Sequence, residues 1–349
     1  MKNMIPLLLI LILSTQLAAQ QRKDLIWEYK KLQTNDRQLK ISLNGNLDDY
    51  TDDQIKAILD SAWIKKRCII LMQTLGFLDI YPCTTRYFSE EEIKSAAHDY
   101  KKSISDSSDI HRDTDLLREL FNTYITSTNT DHLSGQILHR QLVYDKLDIL
   151  LIAYKYELIL QLWVKPHNAP SEYVHIKSFD ITDPNVSILG PKSRYGDQLT
   201  PEGIYQLEFY PSLRWSDFYL AFRINYPNQH DLTRRQYWQI KEKSGGDINI
   251  HGSCVSIGCI PIGNPDIIEL FLLIRENQKQ GNSVNMHIYP LMFDQDYAAT
   301  VIKSSTKNKT QLGDFWQSLR KVYNHISRYQ KIPQIFINKT SGYYQLDGV

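Results

Sequence analysis

The chain has 349 residues, which is enough for two domains or for one catalytic domain with extensions, and which excludes a single small module. Hydrophobic residues make up 42% and charged residues 23% of the chain, so it can bury a core and is not a disordered protein. The formal charge of +1 argues against a nucleic-acid partner, and four cysteines are too few for a disulfide-dense scaffold.

The N-terminal segment has the layout of a secretory signal peptide. Lys2 precedes an apolar stretch at 5–13, and small and polar residues follow up to Ala19. The apolar stretch is shorter than the roughly 20 residues that a membrane-spanning helix needs. We therefore expect residues 1–19 to be removed on export, leaving a protein of the periplasm or cell envelope with no stable membrane span.

The next part of the chain, 20–145, is predicted to be mainly helical. Thr51 and Gln54 form the pattern of a capping box, in which each side chain accepts a hydrogen bond from the other residue's backbone N–H. Ser89 and Glu92 repeat that pattern. Apolar residues at helical spacing follow both, so a helix should begin at each.

From residue 148 the pattern changes to short apolar segments separated by polar turns, which is typical of a mostly antiparallel β domain. A helix is predicted at 264–280, with Asn264 as its N-cap and Pro265 in its first turn. A second helix is predicted at 314–329. The predicted strands are 149–154, 158–164, 173–181, 203–209, 218–224, 248–251 and 283–289.

The densest functional signal is the segment 250–261, which contains His251, Cys254 and Cys259. A cysteine attacks well only as its thiolate, so a catalytic cysteine needs a base and a positive local field. His251 can act as the base, and the N-terminus of the following helix is expected to lower the pKa of Cys259.

Two further residues of this segment bear on Cys259. Gly258 permits a sharp turn and close backbone approach, so amides near Cys259 can hold an oxyanion. The hydroxyl of Ser256 can hydrogen-bond within the loop or orient the imidazole; simple solvation is the alternative.

Structural alternatives exist for the cysteines. His251, Cys254 and Cys259 can be read as zinc ligands, although their spacing fits no usual zinc-finger pattern. A disulfide between Cys254 and Cys259 would make the chain a binding protein. Cys68 and Cys83 are predicted to be either buried thiols or one disulfide within the helical region.

A family resemblance follows from the motif His251-Gly252, then Ser256-x-Gly258-Cys259, then a helix. This order resembles the active-site signature of the YkuD-type L,D-transpeptidases, especially their YafK-like branch. Ile257 stands where the wider superfamily has a histidine, and Pro261 where it often has an arginine. The similarity covers 148–344, and its other matching segments are 190–192, 196–197, 200–203, 225–228, 287–290, 315–319 and 331–333.

The resemblance implies a catalytic site that acts on peptidoglycan. Cys259 would be the nucleophile and His251 the proton acceptor, with Gly252, Ser256 and Gly258 shaping the site. The thiolate would attack the meso-diaminopimelate carbonyl of a tetrapeptide stem and form a thioester. No metal and no organic cofactor is implied.

The acceptor that resolves the thioester decides the activity. An amine of another stem peptide gives an L,D-transpeptidase of cell-wall remodelling and cell shape. Water gives a hydrolase, that is, an L,D-carboxypeptidase or an amidase releasing groups attached to diaminopimelate. A non-catalytic cell-wall-binding protein is the remaining alternative.

The resemblance and the patterns together predict an α+β fold in four parts. A signal peptide occupies 1–19 and a helical region 20–145. The mainly antiparallel β L,D-transpeptidase catalytic domain occupies 146–293. A C-terminal helix and extension at 294–349 should pack on that domain.

Overall fold

The computed structural model describes residues 4–35, 49–83, 88–104, 110–208 and 220–347. The described residues fall into two units, one within 4–79 and 88–124, the other within 80–83, 125–208 and 220–347. The division expected from the sequence, at 20–145, 146–293 and 294–349, stays a prediction about domains.

The first unit is built from helices: α1 (Met4–Asn35), α2 (Asp52–Thr74), α3 (Glu90–Ser103) and α4 (Asp113–Ile125). Both expected capping boxes are confirmed, at the starts of α2 and α3. Buried residues of α1 and α2 form a common core: Tyr29, Leu32, Ile55, Leu59 and Ala62. Cleavage of the predicted signal peptide remains a prediction. Among the described residues, no helix combines the length and the apolar content that crossing a bilayer requires.

The second unit combines helices and strands. Its helices are α5 (Leu133–His139), α6 (Gln229–Tyr237), α7 (Asn264–Lys279), α8 (Ala298–Ser305) and α9 (Thr310–Tyr329). Its strands are β1 (Leu147–Tyr154), β2 (Ile159–Pro166), β3 (Val174–Asp180), β4 (Gly203–Gln206), β5 (Ala221–Arg223), β6 (Asn249–His251), β7 (Ile260–Pro261), β8 (Val284–Tyr289), β9 (Ile335–Ile337) and β10 (Tyr344–Leu346).

The strands form a five-stranded sheet in the order β3-β2-β1-β8-β4, a three-stranded sheet in the order β5-β6-β7, and the β9-β10 pair. The β1–β8 and β6–β7 pairings are parallel and the other pairings are antiparallel. Nearly all of β1 is buried, as its continuous apolar sequence requires, whereas β2 alternates between buried and half-buried residues. The expected α+β class with a mainly antiparallel β domain is confirmed.

Several boundaries differ from the sequence prediction. The helix α7 has Gly263, not Asn264, as its N-cap, and α9 begins at Thr310 instead of 314. The Asn264 side chain accepts a hydrogen bond from the N–H of Ser253 and donates one to the carbonyl of Tyr81, so it does not cap its own helix. Helices α6 and α8 and the pair β9-β10 were not expected, whereas α5 lies within the region 20–145 that was predicted to be helical. Residues 209 and 218–219 of two predicted strands lie outside the described residues.

A buried ion pair connects the end of β1 to α9. Nζ of Lys155 donates to Glu202 Oε1 at 3.0 Å and to the carbonyls of Gly190 and Thr200 at 2.8 and 2.9 Å. Glu202 also accepts from the N–H of Gly190 and from Nε1 of Trp316, both at 2.7 Å. Both charged side chains are fully buried. The pair therefore fixes the irregular segment 190–202 at both of its ends.

Replacing Lys155 by methionine should lower the free energy of unfolding by about 3–5 kcal/mol, because Glu202 keeps its charge in a buried place without its partner. Urea denaturation followed by circular dichroism measures this change. The matched control is Lys331→Met, which breaks an exposed pair with Glu172 and should cost less than about 1 kcal/mol. Equal losses in the two variants would contradict the role given to the buried pair.

A buried histidine in β8 makes stability depend on pH. Burial lowers the pKa of His287 to about 3, whereas the unfolded chain takes up this proton near pH 6.5. Below about pH 6.5 the unfolded state therefore binds a proton that the folded state excludes, and about 2 kcal/mol of stability is lost by pH 5. The free energy of unfolding of His287→Phe, measured by denaturation, should fall between pH 7 and pH 5 by about 2 kcal/mol less than that of the parent protein. An unchanged difference would show that His287 is not responsible.

Candidate active site

The small sheet brings the histidine and the cysteine of the sequence motif together. In the parallel β6–β7 pairing, Ile250 lies opposite Ile260 and His251 opposite Pro261. Cys259 therefore continues β7 at the level of Asn249. Because residues two apart in a strand share a face, Asn249 and His251 point to the same side.

The imidazole of His251 is held in one tautomer by its own neighbour. Its Nδ1 donates to the carbonyl oxygen of Gly252, which can only accept, so Nε2 is the basic nitrogen of the neutral ring. Burial lowers the pKa of His251, while the Gly252 hydrogen bond and the negative charge of Asp183 act in the opposite direction. The resting imidazole is therefore neutral at neutral pH.

The thiol of Cys259 is free and only 8% exposed. Its sulfur accepts from the N–H of Asn249 at 3.3 Å, and its S–H donates to the carbonyl of Asp247 at 3.6 Å. Burial raises the pKa of Cys259, although the hydrogen bond from Asn249 and the nearby Ser256 hydroxyl act to lower it. The resting site thus pairs a protonated thiol with a neutral imidazole, so the reaction needs a base.

The pKa of Cys259 is raised, whereas the N-terminus of α7 was expected from the sequence to lower it. The first amide of α7, at Asn264, donates to the carbonyl of Pro82 at 2.8 Å. The start of the helix is thereby occupied by the segment around Tyr81 and Pro82, and burial of the thiol dominates its acidity.

The second cysteine of the motif has a structural partner. Cys254 forms a disulfide with Cys83, with the two Cα atoms 5.1 Å apart. The alternatives of a Cys254–Cys259 disulfide and of a Cys68–Cys83 disulfide are therefore wrong. The zinc alternative fails as well, since a sulfur in a disulfide offers no thiolate. Cys68 is a free, buried thiol of α2, where burial raises its pKa to about 12.

The remaining motif residues shape the loop between the two strands. Gly258 has a φ of +97°, and a Cβ on it would lie 2.9 Å from the carbonyl of Leu199, so only glycine fits. The N–H of Gly252 donates a hydrogen bond to the carbonyl oxygen of Leu220 at 3.0 Å. Ser256 is half-buried, and its hydroxyl acts on the sulfur of Cys259. The structure therefore brings all five predicted site residues to one place.

Sequence reasoning missed two residues of this site. Asn249 contacts the sulfur, and its position two residues before His251 could have indicated this. Asp183 accepts from the N–H of Ser256 at 2.6 Å, although it lies 73 residues earlier in the chain. No local pattern links residues so far apart, so only the fold reveals this contact.

Comparison with solved structures finds proteins that superpose only weakly on this chain, among them the two described next. A K307A mutant of the helical cell shape determining protein Pgp2 from Campylobacter jejuni has 19% identity and a TM-score of 0.30, covering 56% of this chain and 74% of that one. Bd1075 from Bdellovibrio bacteriovorus has 19% identity and a TM-score of 0.28, covering 56% and 79%. At these scores the superpositions carry no argument about this chain.

Sequence comparison is decisive for the family. The profile of the YkuD L,D-transpeptidase catalytic domain matches residues 176–285, which include His251 and Cys259. The Escherichia coli K12 protein named "Putative L,D-transpeptidase YafK" is 30% identical over 185 residues, covering 53% of this chain and 68% of that protein. The same match holds for its counterpart in strain O157:H7. The chain therefore belongs to the YkuD-type L,D-transpeptidase family.

Proposed function

We propose that the protein is an exported, cysteine-dependent peptidoglycan L,D-transpeptidase. The observation that carries the proposal is the reduced thiol of Cys259 on the same small sheet as His251, whose Nδ1 donates to the Gly252 carbonyl so that Nε2 is the basic nitrogen of the ring. Family membership supports the class of reaction. The geometry supports the assignment of the nucleophile, since the other cysteine of the motif is in a disulfide.

The first half-reaction forms an acyl-enzyme. His251 Nε2 takes the proton of the Cys259 thiol, and the sulfur attacks the meso-diaminopimelate carbonyl of a tetrapeptide stem. Backbone amides near Gly258 stabilise the oxyanion of the tetrahedral intermediate. When the intermediate collapses, the amide bond breaks, the imidazolium gives its proton to the departing D-alanine amine, and a thioester remains on Cys259.

The second half-reaction releases the enzyme. The amine of another stem peptide attacks the thioester, His251 takes its proton, and the thiol of Cys259 is restored as the new amide bond forms. If water attacks the thioester instead, the product is that of the hydrolase alternative, so exclusion of water from the acyl-enzyme decides between the two activities.

Export is supported by two independent features. The N-terminal sequence has the layout of a signal peptide. The Cys83–Cys254 disulfide is of the kind that persists in an oxidising compartment such as the periplasm.

Replacing Cys259 by alanine should abolish acylation while the fold is kept, because the change removes the attacking atom and little volume. Intact-mass spectrometry after incubation with a tetrapeptide stem fragment, or with a carbapenem as an acylating probe, measures this. We expect one covalent adduct on Cys259 of the parent protein and none on the variant. Cys68→Ala is the matched control and should keep the adduct.

The same assay separates the alternatives. Peptide turnover by Cys259→Ala would refute the nucleophile, and no adduct with retained peptidoglycan binding would support a non-catalytic wall-binding protein. With an acceptor stem peptide present, a crosslinked dimer is the expected product. Release of a tripeptide alone would instead identify a hydrolase.

A further inference from the structure

Asp183 binds the loop that connects His251 to Cys259. It follows β3 and opens a short 3-10 helix at Pro184–Ser187, and its carboxylate is 4% exposed. One carboxylate oxygen accepts from the N–H of Asn185 at 2.9 Å, and the other accepts from the N–H of Ser256 at 2.6 Å. The carboxylate is therefore hydrogen-bonded to the middle of the loop that separates His251 from Cys259.

The neighbouring residue reinforces this anchor. The N–H of Thr182 donates to the carbonyl of Pro261 at 2.9 Å, and Pro261 lies opposite His251 in the β6–β7 pairing. The segment 182–183 thus binds the loop at its middle and the strand just after it. Ser256, the residue that Asp183 holds, carries the hydroxyl that acts on the sulfur of Cys259.

Charge gives Asp183 a second effect. Its negative charge favours the protonated form of His251, which at neutral pH arises when the imidazole takes the proton of the thiol. The Nδ1 of His251 donates to Gly252, and the effect of Asp183 on the imidazole is electrostatic. On the other side of the site, Asp247 acts on the thiol of Cys259 and is paired with Arg223 at 3.2 Å.

We propose that Asp183 is a positioning residue of this site, which fixes the loop through the Ser256 amide and stabilises the imidazolium that His251 becomes when it takes the proton of Cys259. The inference rests on the proposed function only in that it assigns these two residues as base and nucleophile. It gives the site a buried carboxylate that the sequence motif does not contain.

The test is the pH dependence of alkylation by iodoacetamide, mapped to Cys259 in the full mature chain. In Asp183→Asn the lower midpoint of the rate profile, which reports protonation of His251, should move to lower pH by about half a unit or more, and the plateau rate should fall. A role that is only structural would lower the plateau and leave the midpoint in place. That result would overturn the charge effect.

Two further variants keep the test decisive. Asp183→Ser is also neutral and places no amide NH2 opposite the Ser256 N–H, so it should shift the midpoint in the same direction if Asp183→Asn does not fold. Asp180→Asn is the matched control: it removes an exposed carboxylate at the end of β3, three residues before Asp183, and should leave both the midpoint and the plateau unchanged. Equal shifts in the Asp183 and Asp180 variants would refute a specific role.

Alkylation also separates this inference from the proposed function, because iodoacetamide needs no stem peptide. A shifted midpoint together with no stem-peptide turnover would reject the transpeptidase activity and keep the coupling of Asp183 to His251. Stem-peptide turnover with an unshifted midpoint would keep the transpeptidase activity and reject the coupling of Asp183 to His251.

Discussion

The buried pair of Lys155 and Glu202 is the interaction on which the site depends. Two charges without solvent exposure are tolerated only when hydrogen bonds satisfy them, and here two backbone carbonyls, a backbone amide and the indole of Trp316 do so. These hydrogen bonds offset the cost of burying the two charges, and they also hold the segment 190–202 in one position. Leu199 of that segment lies against Gly258, so a contact far from the thiol defines the turn that presents Cys259.

In the resting site Cys259 is a protonated thiol and His251 is a neutral imidazole. Burial disfavours both charged forms, so the thiol and the imidazole are neutral at rest. A charged pair forms when the proton moves from the thiol to the imidazole. The groups arranged around the pair, namely the Asn249 amide and the Ser256 hydroxyl at the sulfur and Asp183 near the imidazole, each favour that transient charged state.

Much of this architecture could be predicted from the sequence because its signals are local. Both capping boxes, the strand pattern and the order of motif residues depend on neighbours within a few positions, and the structure places Cys259, His251, Gly258, Ser256 and Gly252 together. The misses have a common cause. The partner of Cys254, the role of Asp183 and the occupied start of α7 all depend on segments distant in sequence, whose approach only the fold determines.

The disulfide also constrains how the chain must mature. Cys83 and Cys254 are separated by 171 residues, yet each has another cysteine closer to it in the sequence: Cys68 for Cys83 and Cys259 for Cys254. Since closing a short loop costs less entropy, an unfolded chain oxidised at random favours the wrong pairings. A bond between Cys254 and Cys259 would consume the proposed nucleophile. Native folding before oxidation, or exchange of a wrong bond for the right one, is therefore what leaves Cys259 reduced, and correct disulfide pairing becomes a condition for having an active thiol at all.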